Sequence, residues 1–364
     1  KNKKLYDLGT KGSGTTLYSR SGDGRLTLKG GVREVLCSSY LDAIGLNTSQ
    51  TLSLIETGES LYRNDEPSPT RSSVLVRISH SHIRIGTFQY HAYHQDNTSL
   101  ENLMKSIGKY YFSFNDSENT ALNFFSRVVQ NCANLAASYN IFGFVHGVLN
   151  TDNINITGES FDYGPYRMME EYNPEKIAAY FDHSGLYKFS KQVDAIFWNV
   201  QQLASIMTLF LEEKLIIEEL KKYIDLYNSE VLRLFFQRLG LQPNSLESNN
   251  QKLLQDFYEI LIKSPYLYEE IYHDLRGGKE RVNFQTELKQ KYKNFNLDKI
   301  FENHEILNDH DLKLLIKMPR ETLLYDEIEK IWDYIDKKDD WSLFNQKIDS
   351  INIFKQANIN NGLG

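Results

Sequence analysis

The sequence predicts an α+β protein of two lobes, β-rich at its N-terminal end and helical beyond. Strand-like alternation and turn residues fill the chain to about residue 85, and apolar residues at helical spacing take over from about residue 86. At 364 residues, with 41% hydrophobic and 24% charged side chains, the chain is long enough to build two packed lobes around a shared cleft. The expected division is an N-lobe of residues 1–95 and a larger helical C-lobe of residues 96–364.

The elements follow in order. LYDLGTK from Leu5 and RLTLKG from Arg25 alternate as strands, and the intervening SGDG, whose glycines accept positive φ, predicts a hairpin turn. Val32, Val35, Leu36, Tyr40 and Ala43 recur at helical spacing, with Gly45 as the C-terminal stop. TLSLIET from Thr51 and SVLVRIS from Ser73 predict two further strands on either side of the polar loop RNDEPSPTRSS. Leu122, Phe125, Val129, Cys132 and Ala136 form one core stripe, and Ile196, Leu203, Met207 and Phe210 contribute to another. Between them lies a loop followed by NINI, the turn TGES and FDYG, an alternation that predicts a short hairpin. Residues 212 to 364 are helix-rich and charged, and are expected to act as scaffold.

Composition limits the partners. A formal charge of −7 and a pI near 5.8 give no electrostatic footprint for duplex nucleic acid, which is gripped by many lysines and arginines. The most apolar window, AIFWNVQQLASIMTLFL from Ala195, is broken by Asn199, Gln201, Gln202 and Ser205, so no membrane span is expected. Cys37 and Cys132 both lie in helical patterns, which leaves neither a disulfide framework nor a CxxC pair and fits a reducing compartment, bacterial-type cytoplasm or a eukaryotic mitochondrion. The first residues lack an initiator Met and the apolar core of a signal peptide, and the N-lobe is read as truncated at its start.

The chemistry concentrates in HGVLNTDNINITGESFDYGP from His146. Protein kinases use H-R-D-x-x-x-x-N, whose Asp orients the acceptor hydroxyl and whose Asn holds a metal, followed by an Asp that bridges Mg²⁺ to phosphates. In this register Asn153 matches the Asn and Asp162 opens DYG, but Val148 stands where the base belongs. Oxygen ligands from Asn153 and Asp162 suit a hard cation, Mg²⁺ or Mn²⁺. Upstream, Lys11 on a strand and Glu34 on the first helix could form the ion pair that aims a lysine at nucleotide phosphates; a surface lysine and a solvated glutamate are the plainer alternative. Arg77 and Arg84 flank SHSHI and suit a polyphosphate through bidentate hydrogen bonds. The Asp23-Gly24 turn could bring a backbone N–H to phosphate, although a hairpin turn explains it equally well. Asp152 offers a carboxylate four residues after Val148; bonding to its own backbone in a turn is the competing reading.

KGSGTTLYSRSGDGRLTLKGGVRE, VLVRISHSHIRIG, the HGVLNTDN…DYGP string, DHSGLY and FWNVQQLA together resemble the selenoprotein O family, kinase-like proteins that transfer AMP from ATP to protein hydroxyls. The resemblance covers roughly residues 5 to 210, with a weaker echo from Lys317. It implies a bilobal protein-kinase-like fold and a nucleotide flipped relative to a kinase, so that the α-phosphorus faces the acceptor. It assigns nucleotide contacts to Lys11, Asp23, Gly24, Arg77, Arg84 and Asp162, with Glu34 pairing Lys11, gives Asn153 and Asp162 the metal, and makes Asp152 the proton acceptor. His146 is expected to pack beneath DYG. Two family features lie outside this sequence: an earlier Gly-Asp-Gly-Arg turn, which would precede Lys1, and a C-terminal cysteine or selenocysteine, where this chain ends IFKQANINNGLG. Redox control by that route is not expected. Three rivals stand beside the adenylyltransferase: a phosphotransferase using the γ-phosphate, an ATP-binding pseudokinase without transfer activity, and a metal centre built from His80, His82, His91 and His94.

Overall fold

The computed structural model describes residues 5–360 except 18, 20, 21, 65, 115–119, 308–316 and 318. Part of the expected SGDG turn, Ser21, therefore lies outside the described residues. Among these residues the fold is mixed α/β, mostly helical, with two small sheets.

In the first sheet, β1 (Asp7–Lys11), β2 (Leu26–Thr27), β3 (Gln50–Leu61) and β4 (Thr70–Ser79) are all organised around β4. On one edge β4 pairs antiparallel with β3. On the other it pairs with β1, from Asp7↔Ser79 to Lys11↔Leu75, and then end to end with β2, from Leu26↔Ser73 to Thr27↔Ser72. Among the described residues, the first two strands therefore do not pair with each other as expected: both are partners of β4, and the chain leaves the sheet after Lys11. The exit is at Gly12, whose φ of +98° takes the chain past the Ser73 carbonyl, where a Cβ would lie only 2.5 Å away. Gly14 N–H closes the neck of the loop on the Gly24 carbonyl at 3.1 Å.

The second strand is also shorter than its alternation suggests. The Thr27 hydroxyl accepts the Gly30 N–H at 3.1 Å, a side-chain N-cap that starts α1 (Leu28–Ala43) within the run read as strand. Leu28, Val32, Leu36, Tyr40 and Leu41 on this helix are fully buried. Gly31 lets α1 approach the sheet, because a methyl there would meet Leu54 at 2.4 Å and Ser73 Oγ at 2.8 Å.

Helices α2 (Ile85–Tyr93), α3 (Asn97–Tyr110) and α4 (Thr120–Ile141) follow. Phe125, Val129, Cys132 and Ala136 line the buried face of α4. Strands β5 (Phe144–His146) and β6 (Tyr166–Met168) pair antiparallel, and α5 (Gln192–Met207) packs on α4. Further along come α6 (Glu213–Lys221), α7 (Tyr223–Leu239), α8 (Glu247–Lys263), α9 (Tyr268–Leu275), α10 (Gly278–Phe284), α11 (Glu287–Lys291), α12 (Leu297–Ile300), α13 (Tyr325–Lys338) and α14 (Ser342–Asn360). Among the described residues, most buried apolar side chains form one continuous cluster from Leu28 to Phe354, in which α14 returns to pack on α1. Cys37 and Cys132 are free and buried. Among the described residues, no helix is long and apolar enough to cross a membrane.

The hairpin read from NINI and FDYG is corrected as well. Asn155 bridges to Arg84 and Ser160 to Thr48, so this segment pairs with upstream chain rather than with itself. Alternation reports an extended segment with one face buried, without naming the partner it pairs with. The β5–β6 pair closes the loop instead, setting His146 opposite Tyr166.

Candidate active site

The β1–β4 register puts Gly9 opposite Arg77 and Lys11 opposite Leu75. Cross-strand partners share a face and residues two apart along a strand share it too, so Lys11 and Arg77 point to the same side. Glu34, buried on α1, forms an ion pair with the Lys11 ammonium. The same ammonium donates to Asp162 Oδ1 at 2.6 Å, and Arg77 Nη1 stands 3.5 Å from that oxygen. Arg77 also lies over the Phe161 ring, 5.3 Å from its centroid. Burial works against charge on Asp162, but Lys11 and Arg77 outweigh it and hold the carboxyl well below the usual carboxylate range. Burial likewise opposes the Lys11 ammonium, while Glu34 and Asp162 raise its pKa.

Asp162 has a φ of +66°, unusual for a residue with a side chain. His146 supports the preceding residue. Its Nδ1 accepts the Val148 N–H at 3.2 Å, so Nε2 carries the proton donated to the Phe161 carbonyl at 3.0 Å. Burial depresses the imidazole pKa and favours this neutral form. His146 thereby ties the start of the loop to its DYG end.

The intervening residues form a 3₁₀ turn, Thr151–Asn153. Asn150 caps it, its Oδ1 accepting the Asp152 N–H at 3.0 Å. Asn153 donates its side-chain amide to the Val148 carbonyl at 3.0 Å, a bond that commits the nitrogen to the loop and leaves the amide oxygen as the group available to a cation. Arg84 Nη1 donates to the Asp152 carbonyl at 3.1 Å. From α5, Asn199 donates to the Leu149 carbonyl at 2.7 Å and Gln192 Oε1 accepts the His146 N–H at 2.8 Å.

Lys11, Glu34, Arg77 and Asp162 are thus brought into one cluster, and Arg84 grips the loop that carries Asp152 and Asn153. Asp23 is engaged elsewhere. Its carboxylate accepts Arg63 Nη1 and Nη2 at 2.9 and 3.2 Å and the Arg25 N–H at 2.9 Å, while Gly24 adopts a φ of +66° at the loop neck. Arg63, Gln192 and Asn199 also build the site, although no motif marks them in the sequence; for Asn199, a polar side chain inside an apolar window is the one local signal.

The four histidines do not converge on a metal centre. His80 pairs with Glu159, His91 Nδ1 lies 3.6 Å from Asp96, and the His94 ring packs 4.6 Å from that of Tyr90. His82 lies against Gly9. Among the described residues, no group of three or more His, Cys, Asp or Glu could hold a metal ion.

Against known proteins, the chain is 40% identical over 363 residues to the protein nucleotidyltransferase YdiU of Trichodesmium erythraeum, covering 94% of this chain and 76% of that protein. It is 38% identical over 381 residues to the YdiU of a Synechocystis strain, covering 96% and 78%. A third relative of that name, from Gloeobacter violaceus, is 39% identical over 362 residues, covering 94% and 73%. These similarities define the class: the chain is an enzyme, a nucleotidyltransferase. The family described as protein adenylyltransferase SelO matches residues 1–352, and the chain belongs to that family.

Proposed function

We propose that this enzyme transfers AMP from ATP to the hydroxyl of a Ser, Thr or Tyr in a protein, releasing pyrophosphate. The observation that carries this reading is the Lys11–Glu34–Asp162–Arg77 cluster, joined through one loop to Asp152 and Asn153, with an apolar Val148 at the position of a kinase base. We further propose that the fold is kinase-like and bilobal, divided near residue 95, with the cleft between its lobes receiving the nucleotide, and that the enzyme works in the cytoplasm.

The residues present fit a hard cation. Asp162 is held ionised, and the Asn153 amide oxygen is left over by the bond its nitrogen makes. These two would hold Mg²⁺ or Mn²⁺, which supplies charge neutralisation on the phosphates when bound. Arg77 fits polyphosphate for a related reason: among the described residues its buried Nε has no hydrogen-bond partner and its Nη1 has only the Asp162 carboxylate 3.5 Å away, so a phosphate oxygen would complete its bonding. Lys11 adds a further positive charge, fixed in place by Glu34. Asp23 and Gly24 shape the loop over the phosphates.

Asp152 takes the proton of the attacking hydroxyl. The hydroxyl oxygen bonds to the α-phosphorus, the bond from that phosphorus to the bridging oxygen of pyrophosphate breaks, and the leaving electron pair stays on pyrophosphate. Charge building on the phosphates meets Lys11 and Arg77, which are already in place and need no reorganisation. The test is transfer from ATP labelled at the α- or γ-phosphate, read with the intact mass of the modified protein. Label from the α position with a mass gain of one AMP supports the reading. Label from the γ position alone replaces it with a phosphotransferase, and nucleotide binding without label replaces it with a pseudokinase.

A further inference from the structure

The N-cap and first two turns of α2 meet the 151–154 segment at four points. Arg84 Nη1 donates to the Asp152 carbonyl at 3.1 Å, Ile85 N–H donates to the Ile154 carbonyl at 3.1 Å, and Gln89 Oε1 accepts the Thr151 hydroxyl at 2.6 Å. The fourth contact is made by the absence of a side chain. A methyl on Gly86 would lie 2.2 Å from Asp152 Oδ1, 3.3 Å from its Cγ and 3.4 Å from the Thr151 carbonyl oxygen. The Asp152 carboxylate therefore occupies the space that a side chain at position 86 would need.

Nothing in the backbone asks for glycine there. Gly86 is the second residue of a regular α-helix and is not among the positive-φ positions. Alanine is the better helix former at such a place. The three atoms nearest to the absent methyl all belong to Thr151 and Asp152, so the helix gives up propensity for room at one particular carboxylate.

We infer that Gly86, backed by Gln89, is the positioning residue for Asp152: it sets where the carboxylate stands relative to the acceptor hydroxyl, without touching substrate itself. This rests on the reading of Asp152 as proton acceptor. A side chain at position 86 can be accommodated by turning the short Asp152 side chain about its Cα–Cβ bond, which spares the fold but carries the accepting oxygen away from the hydroxyl.

The test uses the full chain, with Gly86→Ala, Asp152→Asn and the double variant. Gly86→Ala is expected to lower kcat for AMP transfer by about 100-fold, the scale of a misplaced catalytic group. ATP affinity in Mg²⁺, measured by calorimetry, should change by less than about twofold. Its melting temperature should stay within about 4 °C of the parent, and a crystal structure should show Asp152 in a different rotamer. In the Asp152→Asn background, Gly86→Ala should have no further effect, because the two act through one group. Full kcat in Gly86→Ala beside a crippled Asp152→Asn, or multiplicative losses in the double variant, would overturn the inference. Full activity in Asp152→Asn would instead remove the base reading, a distinguishable failure. If Gly86→Ala does not fold, Gln89→Ala takes its place: a lowered kcat with unchanged ATP affinity supports the seat on α2, and an unchanged kcat overturns it.

Discussion

Two charged side chains within one loop are expected to fail in different ways. Asp162 is the anion on which Lys11 and Arg77 converge, so Asp162→Ala should abolish metal-dependent nucleotide binding, measured by calorimetry with and without Mg²⁺. Asp152→Ala should leave ATP bound and cut AMP transfer by about 10²- to 10⁴-fold, the usual worth of a positioned base. His146 supplies a pH test. Its folded-state pKa is depressed by burial, so the folded protein binds fewer protons than the unfolded chain below the ordinary histidine range. The sign follows: the stability contributed by neutral His146 is fully present above about pH 6.5 and is lost as pH falls below it, because protonating Nδ1 breaks its bond from the Val148 N–H. Urea unfolding at pH 7.5 and 5.5 should show a smaller loss on acidification in His146→Phe than in the parent, although the variant starts out less stable. Equal losses would place the proton elsewhere.

Elements were legible where one local rule decides them and illegible where a distant partner does. Gly45, with φ at +87°, marks the end of α1 as its composition suggests, and Phe125, Val129, Cys132 and Ala136 fall on one buried face of α4. The first hairpin was not legible because alternation is the same whether a strand pairs with its neighbour or with β4, from Asp7↔Ser79 at the far end to Thr27↔Ser72 at the near one. Within the candidate site, Asn153 and Asp162 were marked by the kinase-like spacing that starts at His146. The elements that hold their loop were not, since α5 begins more than forty residues after His146 and contributes through two amides. Asn199, fully buried, carries the sharpest expectation at this scale. Asn199→Ala leaves the buried Leu149 carbonyl without its donor and should cost about 1–3 kcal/mol in urea unfolding. It should also lower kcat, because the strand-to-turn connection that delivers Asp152 loses its tether to α5. A destabilised variant with parental kcat would make Asn199 a packing residue only.

At the scale of the molecule, the C-terminal helices bear on the helix that carries Glu34. Lys29 on α1 pairs with Glu329 on α13 at 2.7 Å, Tyr40 donates to the Glu321 carbonyl at 3.3 Å, and Asn358 on α14 donates to the Ala43 carbonyl at 2.8 Å. Asp42 adds an ion pair with Lys355. Partners some 300 residues apart leave no periodicity in a sequence, so this contact could not be read from it. Beside their shared apolar packing, a buried charge ties α14 to α13 and to the segment before it: Lys347, 7% exposed, donates to Glu321, also 7% exposed, at 2.5 Å, and to Glu327 on α13 at 2.8 Å. Lys347→Met therefore leaves Glu321 buried without its cationic partner, bonded only by the Ser350 hydroxyl and the Thr322 N–H, and should cost about 3–5 kcal/mol, whereas Lys355→Ala, at a partly exposed pair, should cost less than about 1 kcal/mol. If α1 is seated from behind by these helices, the Lys347→Met protein, studied where it is still folded, should exchange its α1 amides faster and bind ATP more weakly, since Glu34 can fix Lys11 only while α1 stays in place. Faster exchange confined to α13 and α14, with α1 and ATP affinity unchanged, would show that the C-terminal helices pack on the site-bearing helix without setting its position.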